Sequence, residues 1–202
     1  MHTFDKAYWE KHWAPAAEAG GRSLPVSPYL PAETRRLTVG TALDAGCGTG
    51  TEALWLAEQG WRVTGADISA TALSAAADRA EQAGLAGRVD WIEADLTGWA
   101  PGRTWDLVVT SYAHPDSGQL AFYRRIGSWV APGGTLLVIG HLHGGHGHHH
   151  PGEATADRTG IAALFTEPEW RIDAGYETTR TVHPGGRPVE LHDVVVRAHR
   201  NP

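Results

Sequence analysis

The sequence predicts an α/β fold: a doubly wound, mostly parallel sheet with helices on both faces and an antiparallel hairpin at its C-terminal end. Three observations predict it. From Thr41 onward, short apolar runs alternate with longer segments of helical periodicity. The first apolar run ends in a glycine-rich turn, where a strand hands over to a helix in little space. Near Trp170 the alternation stops, and two strand-like segments, 170–180 and 189–198, flank Pro184-Gly185-Gly186 with no helix between them.

Residues 41–44 read as the first strand, and 52–59, with Ala53, Leu54, Leu56 and Ala57 as its apolar side, as a helix closed by Gly60. Residues 61–66 form the second strand. Ser69 is a capping residue and opens a helix through Ala72, Leu73, Ala76 and Ala80 to about 83, where Gly84 stops it. The cycle repeats, with a third strand at 88–94, a fourth at 105–110, a helix at 116–130 and a fifth strand at 135–139 after the turn Pro132-Gly133-Gly134. Ahead of the sheet, 5–13 forms a helix that gathers Tyr8, Trp9 and His12, followed by a proline- and glycine-rich stretch over 15–31. With 202 residues and no internal repeat, one domain is expected over 1–202: an N-terminal helical segment at 1–37, a core at 38–202 and a mobile His/Gly-rich loop at 141–160.

Composition narrows the class. An apolar fraction of 42% with 20% charged residues is that of a soluble globular chain. No run approaches the roughly 20 apolar residues of a membrane helix, so no membrane span is expected. Met1 leads into His2, Asp5 and Lys6 instead of a basic segment and an apolar one, which makes the cytoplasm the default location. A single cysteine, Cys47, forms no internal disulfide. Lys and Arg number 17 against 23 Asp and Glu, and the net charge of −6 argues against nucleic acid as a partner. Nine tryptophans and twelve histidines are unusual, and six of those histidines lie between His141 and His150.

The strongest chemical signal is the run Ala42-Leu43-Asp44-Ala45-Gly46-Cys47-Gly48-Thr49-Gly50. Glycines at alternate positions after a buried strand let the backbone turn sharply and approach a ligand, while the next helix offers free amides. A dinucleotide fingerprint places its third glycine five residues after the first, where this chain has Thr51, so the G-x-G-x-G spacing favours a different nucleotide-like cofactor. The run Leu43 to Gly50 is similar to the first motif of the class I S-adenosylmethionine-dependent methyltransferases. That resemblance covers roughly residues 40–200 and implies the Rossmann-like fold of the family, with the hairpin as its antiparallel closing element. It implies S-adenosylmethionine as cofactor and S-adenosylhomocysteine as product, with cofactor contacts at Asp44, Gly46, Cys47, Gly48, Gly50 and Ser111. It further implies that Asp67 accepts the ribose hydroxyls, that Ile68 lies against the adenine, and that Asp95 and Leu96 read the adenine edge.

More narrowly, the N-terminal helix with its two tryptophans and the segment 170–193 resemble the small tellurite-resistance and thiopurine-type methyltransferases, which act on soft heteroatoms of small molecules. This resemblance implies that 1–37 caps the cofactor site, with Trp9 and Trp13 over its methionine end and Tyr8 toward the acceptor. The expected partner is a small-molecule methyl acceptor, and the protein is expected to be a monomer or a homodimer. Methyl transfer is an in-line displacement at a carbon already activated by a sulfonium, so the protein supplies position, a dry pocket and sometimes a base. His114, in the loop after the fourth strand, is the candidate base, because an ordinary imidazole pKa of about 6.5 suits proton acceptance near neutrality. Tyr112 and His141 are expected to line the acceptor pocket with it. A thiolate needs no base, whereas a hydroxyl or amine does better with one, and the narrower resemblance favours a thiol-like acceptor. Cys47 is expected to be structural, since the reaction forms no covalent enzyme intermediate.

The histidine segment suits a lid, a proton acceptor or a transition-metal site, with His143, His146 and His148 as candidate ligands for Zn, Ni or Cu. The absence of cysteine partners and of helical i, i+4 spacing argues against a built zinc site, and methyl transfer itself requires no metal. Two alternatives stand beside the methyltransferase reading: a nicotinamide-dependent oxidoreductase, disfavoured by Thr51 and the hairpin, and a metal-binding protein that uses the histidine loop.

Overall fold

The computed structural model of the chain describes residues 4–18, 25–142, 155–183, 186 and 188–202. Two helices, α1 (Lys6–Glu18) and α2 (Tyr29–Thr34), precede the sheet. The alternating part follows as β1 (Thr41–Ala45), α3 (Thr51–Glu58), β2 (Arg62–Asp67), α4 (Ala70–Gln82), β3 (Val89–Glu93), β4 (Trp105–Ser111), α5 (Gln119–Gly127) and β5 (Val130–His141). The short α6 (Arg158–Ala162) leads to the hairpin of β6 (Trp170–Val182) and β7 (Val189–Arg200). All seven strands form one sheet in the order β3-β2-β1-β4-β5-β7-β6. The first five are parallel, and β7 enters antiparallel between β5 and β6. Strand order reverses between β1 and β4, and an open α/β sheet forms its ligand crevice beyond the strand ends at that point.

Strand residues alternate between two cores because successive side chains point to opposite faces. On one face Leu43, Val108, Leu136, Val138, Val194 and Val196 meet Phe122, Tyr123 and Ile126 of α5. On the other, Ala42, Leu107, Val109, Leu137 and Ile139 meet Ala53, Leu54 and Leu56 of α3 together with Leu30 of α2. The tryptophan excess is largely core material: Trp99, Trp105 and Trp129 pack with ring centroids 6.1 and 5.3 Å apart. The Trp105 indole also donates to the Thr64 hydroxyl at 3.1 Å, so its one polar atom is satisfied inside the core.

Several boundaries differ from the expectation. The helix expected at 116–130 is only Gln119–Gly127, because Gly118 takes a positive φ of +78°, which a right-handed helix does not contain, and Val130 already pairs with Trp105. The turn expected at Pro132-Gly133-Gly134 lies inside the long β5, with a register shift opposite Trp105 and Leu107. Helix α1 runs past residue 13 and through Pro15, and α2 forms inside the stretch expected to be irregular. Pro31 is tolerated in α2 because it lies in the first turn, where an N–H has no partner within the helix. His141 is strand rather than loop, and residues 158–160 of the expected loop are helical, capped by Asp157 through the Gly160 amide at 2.6 Å.

Trp105 is 1% exposed and joins both the aromatic cluster and Thr64. Trp105→Ala is expected to lower unfolding free energy by about 3–5 kcal/mol, read from urea midpoints at an unchanged slope. A loss below about 1 kcal/mol would show that the cluster contributes little.

Candidate functional site

The turn after β1 is held to β2 by its backbone: the amides of Gly46 and Cys47 both donate to the Ala66 carbonyl, at 2.8 and 3.1 Å. Gly46 and Gly48 have φ of +80° and +51°, which side-chain-bearing residues rarely adopt. Both are also tightly covered. A Cβ on Gly46 would lie 2.5 Å from the Ala113 methyl, and one on Gly48 would lie 2.8 Å from the Trp13 ring. Gly50 opens α3 as its N-cap residue. Cys47 is buried, and burial together with the neighbouring carboxylates pushes its thiol above the ordinary range, as a structural cysteine requires.

Three carboxyl groups surround this turn. Asp44, at 1% exposure, has its Oδ2 without a hydrogen-bond partner, and burial, then the Glu52 charge, pushes its carboxyl well up. Glu52, in the first turn of α3, accepts the Ser27 amide at 3.2 Å and is raised by burial. Asp67, at the end of β2, accepts the Gly48 amide at 2.8 Å and the Ser69 amide at 2.9 Å, and burial raises it as well. A carboxylate offers about four lone-pair positions, so Asp67 keeps acceptor capacity for ligand hydroxyls. The orphaned Asp44 oxygen fits a cationic donor such as the ammonium of S-adenosylmethionine, and the glycine turn fits close approach of its chain. These residues therefore fit the cofactor that the first motif implies.

Helix α1 lies against the start of α4. Glu10, which sequence reasoning did not single out, accepts the Ser69 hydroxyl at 3.0 Å and the Ala70 and Thr71 amides at 2.8 and 3.2 Å. Its carboxyl is held below the usual range, first by the Thr71 hydroxyl. A glutamate inside α1 gives no local signal of a cap on a helix 60 positions away. Trp13 thereby reaches Gly48, and Trp9 stacks at 6.4 Å on the His114 ring. Tyr8 meets Phe4, Trp9 and His12 at 5.4, 5.1 and 6.1 Å.

The remaining expected cofactor positions are more mixed. Ile68 is half-buried directly after Asp67. Asp95 is exposed and turns its carboxylate onto the Thr97 amide and hydroxyl at 2.9 and 2.7 Å, while Leu96 packs into the core. Ser111 ends β4 with a buried hydroxyl that has no partner among the described residues.

The acceptor-side residues meet beyond the ends of β4, β5 and β7. Tyr112, with φ +56°, lies 4.5 Å from the His141 ring, and His141 stacks on His114 at 5.6 Å. His114 is buried, with Phe4 on it at 5.7 Å. Behind them is a group that the sequence reading missed. Asp193 is fully buried, stands opposite His141 in the β5–β7 ladder, and accepts Arg180 Nε at 2.6 Å and the Tyr29 hydroxyl at 2.9 Å. Arg180 also donates to the Tyr112 hydroxyl at 3.0 Å, and burial raises the pKa of that hydroxyl. A charged residue before the apolar run Val194-Val195-Val196 is the signal that marks Asp193 as an inward polar position.

His143, His146 and His148 lie outside the described residues. Among those described, no group of three or more metal-ligating side chains comes together.

The raised Asp44 carboxyl carries a pH dependence. A folded-state pKa above the unfolded value means the folded protein holds a proton that the unfolded chain has lost, so stability falls as pH rises from about 4 through the folded-state value. Asp44→Asn is expected to stabilise the cofactor-free protein by roughly 1–3 kcal/mol at pH 7, a gain that shrinks toward pH 4. The same change is expected to weaken S-adenosylhomocysteine at least about tenfold, since a charge-assisted bond is lost. Urea titrations at several pH values and calorimetry check both, and unchanged cofactor affinity would remove Asp44 from the site.

A sequence family described as a methyltransferase domain matches residues 42–134. The chain is 36% identical over 106 residues to a ribosomal RNA small subunit methyltransferase C of Alcanivorax borkumensis, covering 50% of this chain and 32% of that one. It is 30% identical over 136 residues to a probable thiol methyltransferase 2 of Arabidopsis thaliana, covering 65% and 60%. It spans from about a third to three-fifths of the length of these relatives. A structure described under the conversion of a disulfide bond into a thioacetal group during echinomycin biosynthesis superposes with a TM-score of 0.73 at 22% identity, covering 97% and 91% of the two chains. Magnesium protoporphyrin IX methyltransferase of Synechocystis PCC 6803, with bound S-adenosylhomocysteine, gives 0.72 at 16%, covering 98% and 100%. These likenesses speak for the fold, including the antiparallel strand that the nicotinamide alternative lacks. Residues 42–134 thus match a methyltransferase domain, beginning at β1 and its glycine turn, and the chain as a whole has the fold of the methyltransferase structure on which it superposes.

Proposed function

We propose that the protein transfers a methyl group to a soft, already ionised heteroatom of a small molecule, a thiol-like acceptor above all. The orientation of His114 carries this reading. Gln119 Nε2 donates to the Ala113 carbonyl at 2.9 Å, which fixes the way the amide faces, and the same nitrogen lies 3.4 Å from His114 Nδ1. An amide NH2 group only donates, so Nδ1 accepts and the ring proton resides on Nε2. In this tautomer the nitrogen away from Gln119 is a donor, suited to holding an anionic nucleophile rather than to taking a proton from a neutral one.

When bound, S-adenosylmethionine supplies a methyl group activated by its sulfonium. The chain's own residues do the rest. Asp44 and Asp67 bind and orient, Trp13 and the glycine turn enclose, and the rings of Phe4, Trp9, Tyr112 and His141 around His114 exclude water from the acceptor side. A dry aromatic wall strips hydration from a thiolate and leaves its polarisable sulfur reactive. The thiol methyltransferase of Arabidopsis thaliana supports the same acceptor class, and the net charge of −6 opposes a polyanionic substrate such as the RNA of the Alcanivorax borkumensis relative. The subfamily is read as tellurite- or thiopurine-like, the chain as one domain with residues 1–37 over the site, and the location as cytoplasmic.

Methyl transfer measured across about pH 6–9 on matched thiols, phenols and amines tests the proposal, with thiols expected to be methylated fastest. Activity confined to phenols or amines would overturn it. On a thiol, His114→Ala is expected to lower kcat by less than about tenfold, with most of the loss in KM. A fall in kcat beyond about 100-fold, with S-adenosylhomocysteine still bound, would make His114 the base instead.

A further inference from the structure

The opposite end of the sheet carries a feature that neither cofactor nor acceptor uses. A cavity of about 450 Å³ opens across the N-terminal edges of β1 and β2 and the approaches to β3 and β4, within the usual range for small-molecule sites. Arg62, Arg88 and Arg103 line it, and they come from three separate places: the first residue of β2, the turn before β3, and the loop before β4. Among the described residues none of the three forms a salt bridge. Asp90 is the acidic residue in the wall. Next to the cavity, the Asp106 carboxylate is already engaged by the Thr41 amide and hydroxyl at 2.7 and 2.8 Å. Three arginines therefore line the cavity against Asp90, with the Asp106 carboxylate beside it, in a chain whose overall charge is −6.

We infer that this cavity is a second ligand site, for a small phosphorylated or otherwise multiply charged oxyanion. Like charges gathered around one space repel one another, and a bound anion relieves that repulsion. The guanidinium fork matches phosphate oxygens two at a time, which is why arginine suits such a ligand better than a point charge does. The Arg103 guanidinium rests 5.0 Å over the Trp105 ring, which limits the entropy lost when it binds. At Gly87 a Cβ would meet nothing within 4 Å, so the wall is open there for entry. Arg62 and Asp67 are the two ends of β2, about 17 Å apart at ~3.3 Å per residue, so a ligand here is neither the cofactor nor the acceptor. A cavity of this size in an acidic protein favours a small anion over a nucleic-acid strand, which would meet repulsion along most of its length.

The test uses the full chain saturated with S-adenosylhomocysteine. Pyrophosphate and inorganic phosphate are titrated by calorimetry against sodium chloride at matched ionic strength, in the parent and in the triple variant Arg62→Gln, Arg88→Gln, Arg103→Gln. These side chains are exposed, so the variant is expected to fold, and its S-adenosylhomocysteine affinity serves as the check. The expected result is saturable pyrophosphate binding in the parent, weakened at least about tenfold in the variant, with cofactor affinity unchanged. No heat beyond the chloride control, or equal affinity in the variant, would overturn the site. A single-stranded RNA oligomer that binds more tightly than pyrophosphate through the same arginines would overturn the assignment to a small anion.

Discussion

Burial of negative charge around one backbone turn is the constraint on which the upper half of the molecule depends. Asp44, Glu52 and Asp67 are all raised by burial, and carboxylates in such a place need donors. The donors are mostly backbone amides: Gly48 and Ser69 for Asp67, Ser27 for Glu52. The Gly48 and Ser69 amides are available because the turn takes a left-handed path at Gly46 and Gly48, and because α4 begins where Ser69 caps it. Asp44 keeps one oxygen without a hydrogen-bond partner among the described residues, a place that suits a cationic donor.

A second buried carboxylate organises the acceptor side. Asp193 reaches that place because β7 runs antiparallel between β5 and β6, which sets it opposite His141. Arg180 from β6 and Tyr29 from α2 satisfy its Oδ2, and Arg180 extends the network to Tyr112. The closing hairpin therefore does more than end the sheet: it supplies the polar backing behind the rings of Tyr112 and His141. Truncating one partner of such a network leaves the others buried and unmatched, so its members hold one another in place.

Much of the architecture was legible in the amino-acid order. The glycine spacing after Asp44, the Ser69 cap and the alternation of apolar runs are local signals, each acting within a few residues, and each reappears in β1, α4 and the parallel strands. The misplaced boundaries have tertiary causes. Val130 closes the helix expected at 116–130, but pairing with Trp105 draws it into β5. Asp95 lies directly before Leu96 as expected, and its exposed carboxylate accepts the Thr97 amide and hydroxyl, a local preference that short polar side chains show at turns.

The sequence by itself determined the order of the elements, the glycine turn and the acidic residue at the end of the second strand, because periodicity, capping and turn chemistry are short-range. Tertiary structure alone decided which distant groups meet. Glu10 caps a helix 60 residues away, and Tyr29 meets Asp193 across 164. Such partners are selected by the burial of charge and the satisfaction of hydrogen bonds in a closed space, and that space exists only once the sheet has formed.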